Sequence, residues 1–175
     1  MKNFKYILRL TLTLLLITAV VAGLLGLVNY LTEERIDALT RQKAEQAMQE
    51  VLPAQNYAPI EPHTDGVTEA YRADDKGYVV RVSVNGFGGE IDMMVGVGND
   101  GKVSGVSIVS HTETASLGAN CVREDFRAQY VGADNALAVN KDGGTIDALT
   151  GATVTSRAVT RGVNLALAFV KEVEG

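Results

Sequence analysis

The pattern of apolar and polar positions changes character several times along the chain. Residues 10–32, LTLTLLLITAVVAGLLGLVNYLT, carry no charge, and at about 1.5 Å per residue such a run is long enough to cross a hydrocarbon layer of about 30 Å. It predicts a transmembrane helix over residues 10–30. Beyond it, TEERIDALTRQKAEQAMQEVLP places Ile36, Leu39, Ala44, Ala47, Met48 and Val51 at helical spacing among mixed charges, and Pro53 ends the pattern. That is an amphipathic stalk, read as an exposed spacer. Residues 55–68, with Pro59, Pro62 and Gly66, read as a linker, so stalk and linker together occupy residues 31–68.

The period then switches from helical to alternating. EAYRAD, YVVRVSVNG, EIDMMVGVG and KVSGVSIVSH are rich in Val, Ile and Tyr, and the intervening DDKG, GFGG and NDG are turn formers. They predict an antiparallel meander, the first half of a domain over residues 69–175. Within it Gly96, Gly98 and Gly101 spell GxGxxG, but a dinucleotide fingerprint must lead from strand to helix, whereas Asn99-Asp100-Gly101 turns into another strand. NCVREDFRAQY, residues 120–130, predicts a short helix with Val122 and Phe126 on one face. Cys121 within it reads as a small apolar core residue, because no second cysteine is present to resolve it. ALAV and GTID, around the NKDGG turn, predict short strands. A last helix starts near Thr155 and turns Val159, Val163, Ala166, Leu167 and Val170 toward the sheet. The fold class is α+β: a single amino-terminal transmembrane helix, then a domain with an antiparallel sheet and flanking helices.

Charge bears on compartment and on partners. Lys2, Lys5 and Arg9 precede the span, while Glu33, Glu34 and Asp37 crowd its far end. The positive-inside bias then puts residues 1–9 in the cytoplasm and the carboxyl-terminal domain outside a cell membrane that the chain crosses once. A cleaved signal peptide is the rival reading, from the positive start and the small residues around Ala22; the apolar run, continuing to Val28, favours a retained anchor. The net charge of -5 is spread over both signs with no basic block, which argues against a nucleic-acid partner. One cysteine and no paired-histidine motif leave no expected metal site.

Candidate chemistry concentrates at DALTGATVTSRAVT, residues 147–160, where hydroxyls surround a Gly-Ala pair ahead of the last helix. One reading is capping, with Thr153 or Thr155 accepting a hydrogen bond from a free backbone N–H. The other is anion binding. Gly151 and Ala152 leave the hydroxyls open to approach, and the free N–H groups of a helix amino terminus suit a phosphate. The two are compatible. No Gly-Lys-Ser/Thr follows, which excludes a nucleoside-triphosphate loop.

The run Asp147-Ala148-Leu149-Thr150-Gly151-Ala152-Thr153 resembles the flavinylation motif of extracytoplasmic FMN-binding domains, an Asp followed by Ser/Thr-Gly-Ala-Thr. The resemblance implies FMN joined by a phosphoester to Thr153 by a flavin transferase that uses FAD. Asp147, Thr150, Gly151 and Ala152 would be the sequence the transferase reads. SHTETASLGAN, residues 110–120, is similar to the family's His-x-Glu-Thr-Pro-Gly-Leu-Gly segment, which lies against the isoalloxazine ring. His111, Glu113, Thr114, Leu117 and Gly118 match, while Ala115 and Ser116 stand where the family has Pro and Gly. GFGGEID, residues 86–92, resembles the glycine turn of the domain's first hairpin. By itself His111 is a hairpin-end histidine with one backbone hydrogen bond; beside a flavin it would supply a proton or tune potential.

Among such domains, a short chain with one anchor resembles the G subunits of the Rnf complex, which links ferredoxin and NAD oxidoreduction to sodium or proton transport. The C subunits of the sodium-pumping NADH:quinone oxidoreductase share the motif and are usually longer. The resemblance implies a non-catalytic electron carrier between membrane iron-sulfur and flavin centres, with other membrane subunits of the complex as partners. A free-standing anchored flavoprotein with an external acceptor and a flavin-free anchored scaffold are the other readings.

Overall fold

In the computed structural model, residues 2–134 and 136–175 are described, with the backbone alone described for Lys2, Asn3, Glu34 and Asp37. The side chains of Lys2, Glu34 and Asp37 that enter the charge reading therefore lie outside the described residues. Helix α1, Lys2–Val51, is continuous. Within its stretch Phe4–Glu33 an 18-residue window reaches a mean hydropathy of 2.5, long and apolar enough to cross a membrane. Thr11, Thr13, Thr18 and Thr32 turn their hydroxyls back to carbonyls of the preceding turn, so these polar groups need no water in an apolar surround.

The chain divides into two units, Met1–Gln42 and Lys43–Gly175. The first is helix alone, with large side chains such as Leu14, Leu16 and Leu24 exposed, a distribution that suits lipid rather than water. The second is built on a five-stranded sheet: β1 Tyr57–Ile60, β2 Val67–Ala73, β3 Gly77–Asn85, β4 Glu90–Gly98 and β5 Val103–His111. Strand order is β1-β2-β3-β4-β5, and every neighbouring pair is antiparallel. The alternating segments are β2 to β5. The GxGxxG stretch is the β4–β5 hairpin, closed by Gly98 N–H to Lys102 C=O at 2.8 Å and Gly101 N–H to Gly98 C=O at 2.9 Å. After β5 come a 3-10 turn at Gly118–Val122, α2 at Glu124–Arg127, another 3-10 turn at Ala128–Tyr130, and α3 at Thr153–Glu174.

Alternation gives the sheet two covered faces. Val80, Val82, Met93 and Val95 pack with Val159, Val163, Ala166 and Val170 of α3 in the larger core. Val79, Met94 and Val109 point the other way and pack with Ala47, Met48, Val51 and Leu52 from the end of α1. Each such fully buried aliphatic side chain contributes about 1.5–3 kcal/mol relative to exposure.

Several expectations need correction. The compact unit begins at Lys43 rather than Glu69, because the small apolar positions at the end of the stalk cover sheet. The linker contains β1, an edge strand that pairs Pro59 with Tyr71; an edge tolerates a residue that cannot donate to the ladder. The helix expected at residues 120–130 is broken into short turns by Arg123, which is extended at φ -64, ψ 138. Cys121 and Phe126 are buried there, but Val122 is 44% exposed. The strands expected at ALAV and GTID reduce to one bridge between Val139 and Ile146. Helix α3 starts at Thr153, slightly ahead of the expected Thr155.

The end of α1 sits directly on sheet backbone. Gly96 and Gly105 face each other across β4 and β5, and a Cβ on Gly105 would lie 2.9 Å from Val51 Cα. Ser104 Oγ donates to the Val51 carbonyl at 2.6 Å, Tyr57 OH donates to that of Leu52 at 2.8 Å, and Arg127 pairs with Glu50 at 2.8 Å. The Ser104 and Tyr57 hydroxyls satisfy carbonyls that a helix end leaves free. Gly105→Ala should therefore destabilise the compact unit by about 1–3 kcal/mol through overpacking. Thermal unfolding of the detergent-solubilised chain measures this; an unchanged midpoint would contradict the close approach.

Candidate functional site

The segment before α3 is held by polar contacts to three neighbours. Gln129 Oε1 accepts the Asp147 N–H at 2.7 Å, and Asn140 Nδ2 donates to Asp147 Oδ1 at 2.9 Å. A tight turn follows, closed by Ala152 N–H to Leu149 C=O at 3.0 Å, with Gly151 at φ +76. That left-handed conformation is the one a glycine adopts without a Cβ penalty. Ser156 Oγ accepts the Leu149 N–H at 2.9 Å and donates to the Ala152 carbonyl at 3.0 Å, fastening the turn to the first coil of α3. The sequence reading missed Ser156, Gln129 and Asn140. For Ser156 a signal was present, since it continues the apolar stripe of α3 and a hydroxyl buried there requires partners.

Capping by Thr153 or Thr155 does not occur. Ala152 occupies the cap position, and no side chain of the described residues bonds the open N–H groups. Thr153 is the first helical residue, half-buried, with its hydroxyl without a hydrogen bond to any described residue. Thr155 is 1% exposed, and its hydroxyl is buried without a hydrogen bond. The first-turn N–H groups have no acceptor within the helix and carry its partial positive charge. An oxygen-rich anion fits this arrangement.

The loop after β5 reaches the same place. Glu113 is 8% exposed, and its carboxylate accepts N–H groups from Phe87 at 2.8 Å, Gly88 at 3.1 Å and Thr114 at 3.2 Å. Burial pushes this carboxyl up, but the Phe87 and Gly88 N–H groups, the nearby Thr155 hydroxyl and the Thr114 N–H outweigh it and hold the group below the ordinary carboxylate range. The Thr155 hydroxyl acts there by proximity, without closing a bond of normal geometry. Burial, and then the Glu113 charge, push the Cys121 thiol up to about 11, consistent with a core residue. Thr114 Oγ1 accepts the Gly118 N–H at 3.3 Å. Leu117 is 47% exposed, and its Cδ2 lies 3.1 Å from where a Gly151 Cβ would stand.

The structure thus brings Glu113, Leu117 and Gly118 together with Gly151, Ala152 and Thr153. It links His111 to them through the Glu113 backbone. His111 stands beyond a bulge in β5, paired with Ile91, and it lines a groove of about 490 Å³ with Lys43, Gln46 and Glu50 from α1, while its Nδ1 accepts the Glu113 N–H at 3.3 Å. Asp147 and Thr150 are exposed and line another groove, of about 470 Å³, with Arg123, Phe126 and Gln129.

Ser116, which replaces the family's Gly, has φ +65, held there in part by Asn120 Nδ2 donating to its carbonyl at 2.8 Å. A side chain in this region costs about 1–2 kcal/mol, partly offset by the lower chain entropy of a non-glycine residue. Ser116→Gly should raise stability by about 0.5–1 kcal/mol in denaturant unfolding; a loss of stability would show that the loop prefers the serine.

Comparison with known proteins places both parts of the chain in known families. Residues 86–168 match the FMN-binding domain family, and residues 1–51 match the RnfG N-terminal region. The chain is 33% identical to the G subunit of the ion-translocating oxidoreductase complex of Methanosarcina acetivorans over all of both chains. It is 32% identical to the G subunit of the Na(+)-translocating ferredoxin:NAD(+) oxidoreductase complex of Acetobacterium woodii over 94% of this chain and 92% of that one. Its fold is similar to the crystal structure of the C subunit of Na(+)-translocating NADH-quinone reductase from Parabacteroides distasonis, with TM-score 0.55 and 20% identity over 77% of this chain and 84% of that one. With an RnfG-type amino-terminal region ahead of an FMN-binding domain, and relatives aligned along nearly their whole length, the chain belongs to the family of G subunits of ion-translocating oxidoreductase complexes.

Proposed function

We propose that this chain is an electron-transfer component of a membrane-bound, ion-translocating ferredoxin:NAD oxidoreductase of the Rnf type, and that it carries FMN esterified to Thr153. One observation carries the reading. The terminal threonine of the Asp-x-x-Thr-Gly-Ala-Thr run stands first in an uncapped helix, with its hydroxyl unbonded. A phosphate on that oxygen lies beside open N–H groups. Exposed Phe87, Leu117 and Val154 supply apolar surface from the loops that converge on this helix start, which suits a flat aromatic ring.

FMN supplies exchange of one or two electrons; the protein's part is position and electrostatics. Attachment needs no redox change. Thr153 would hold the FMN phosphate through its side-chain oxygen, with FAD as donor, AMP as the leaving group and the hydroxyl proton taken up by the transferase. Exposure of Asp147 and Thr150 supports their being read by that enzyme. The remaining membrane subunits of the complex would be its electron partners, exchanging electrons through iron-sulfur and flavin centres. The charge bias around the span supports residues 1–9 inside, residues 10–30 in the membrane and the FMN-binding domain outside.

Intact mass after co-expression with a flavin transferase should show FMN less one water, and Thr153→Val should abolish the increment. Retention of the added mass by that variant would refute the assignment.

Topology has its own check. Cys121 is buried, so a cysteine at exposed Glu61 gives a clean site for an impermeant thiol reagent. Labelling is expected on intact cells; labelling only after lysis would put the domain on the cytoplasmic side.

A further inference from the structure

We infer that Glu113 is a positioning residue rather than a ring contact: its buried carboxylate latches loop 112–118 to the 86–89 turn and to the first turn of α3, and so orients the group held at Thr153. The orienting part rests on attachment at Thr153; the latch does not.

Several observations converge on it. The carboxylate gathers N–H groups from two segments far apart in the chain, Phe87 and Gly88 on one side and Thr114 on the other. The backbones themselves touch, since a Cβ on Gly88 would lie 3.0 Å from Glu113 Cα. The loop closes over the carboxylate. A Cβ on Gly118 would lie 2.9 Å from Glu113 Cδ and 3.0 Å from its Cβ, so Glu113 fills the space a side chain at position 118 would need. The first turn of α3 forms another wall, with the buried, unbonded Thr155 hydroxyl close to the carboxylate. Next in the chain, Leu117 rests against Gly151, two residues ahead of Thr153. Rigid contacts therefore run from Glu113 through Gly118 and Leu117 to the attachment turn.

The chemistry selects a carboxylate. Both of its oxygens are acceptors, and N–H groups converge on both. A glutamine of the same size would set an N–H donor against a backbone donor, leaving a buried group unsatisfied. With its oxygens already engaged and its side chain buried, Glu113 has little left to offer a ring directly. It acts through Leu117 and the loop.

The test uses the full-length chain in detergent, with and without flavinylation. In the flavin-free protein, Glu113→Gln should speed amide exchange at residues 87, 88 and 114–118 by about tenfold or more, the consequence of losing a charge-assisted bond. In the flavinylated protein the variant should keep the FMN mass but show lower flavin fluorescence anisotropy. Its midpoint potential should be higher, since a buried negative charge opposing reduction is gone. Gly118→Ala retains the charge but displaces it. It should reproduce the faster exchange and lower anisotropy with a smaller shift in potential, and it stands in if Glu113→Gln does not fold. Unchanged exchange in either folded variant overturns the latch. Faster exchange with wild-type anisotropy in a fully loaded variant overturns the orienting role. Absence of FMN mass from the wild type would sink attachment at Thr153 and leave the exchange measurement to decide the latch.

Discussion

Helix α3 approaches the sheet so closely that a Cβ at Gly162 would come within 2.9 Å of Met93 Cε and 3.4 Å of Val82 Cγ2, and this contact sets where everything at the site can stand. A helix seated that tightly cannot slide or roll without opening voids along Val159, Val163, Ala166 and Val170. Polar bonds then fix its amino end. Tyr130 and Thr160 share a buried hydroxyl pair at 2.9 Å, Thr160 Oγ1 donates to the Ser156 carbonyl at 2.8 Å, and Ser156 Oγ holds the Leu149–Ala152 turn. The Thr153 hydroxyl is consequently placed by a rigid element rather than by a loop, the arrangement that positions a reacting or tethered group most accurately.

What was legible in the sequence follows from how local each constraint is. Strands β2 to β5 showed because their side chains alternate between distinct environments, and α3 showed because its stripe meets a flat sheet. The motif at residues 147–153 was legible as chemistry, although the caps it suggested are not formed. Edge strand β1 was hidden by its shortness and by Pro59, and the end of α1 looked like spacer because Ala47, Met48 and Val51 are few and flanked by charge. Glu113 and the GFGG turn were each visible, but their union depends on a bond across 26 residues that exists only once the meander closes. The place of His111 depends on a bulge in β5 that the alternation of the sequence does not announce, and the bulge sets it opposite Ile91.

Two anions are asked to share one corner of the domain, the Glu113 carboxylate and the phosphate proposed at Thr153. Like charges held close together repel, so each needs its own donors. The structure divides them. Phe87, Gly88 and Thr114 serve the carboxylate, while the uncapped first turn of α3 keeps its N–H groups open. Neither anion must take donors from the other.

The same division sets the pH range over which the latch holds. Glu113 has its carboxyl lowered in the folded chain below the ordinary carboxylate value, so its contribution to stability is fully present above the unfolded value and is lost only as pH falls through the lower folded value. Near neutrality the latch is therefore fully charged, and small shifts in pH leave it closed. A histidine in its place would titrate near neutrality. A buried glutamate with dedicated backbone donors gives a loop geometry that is insensitive to such shifts.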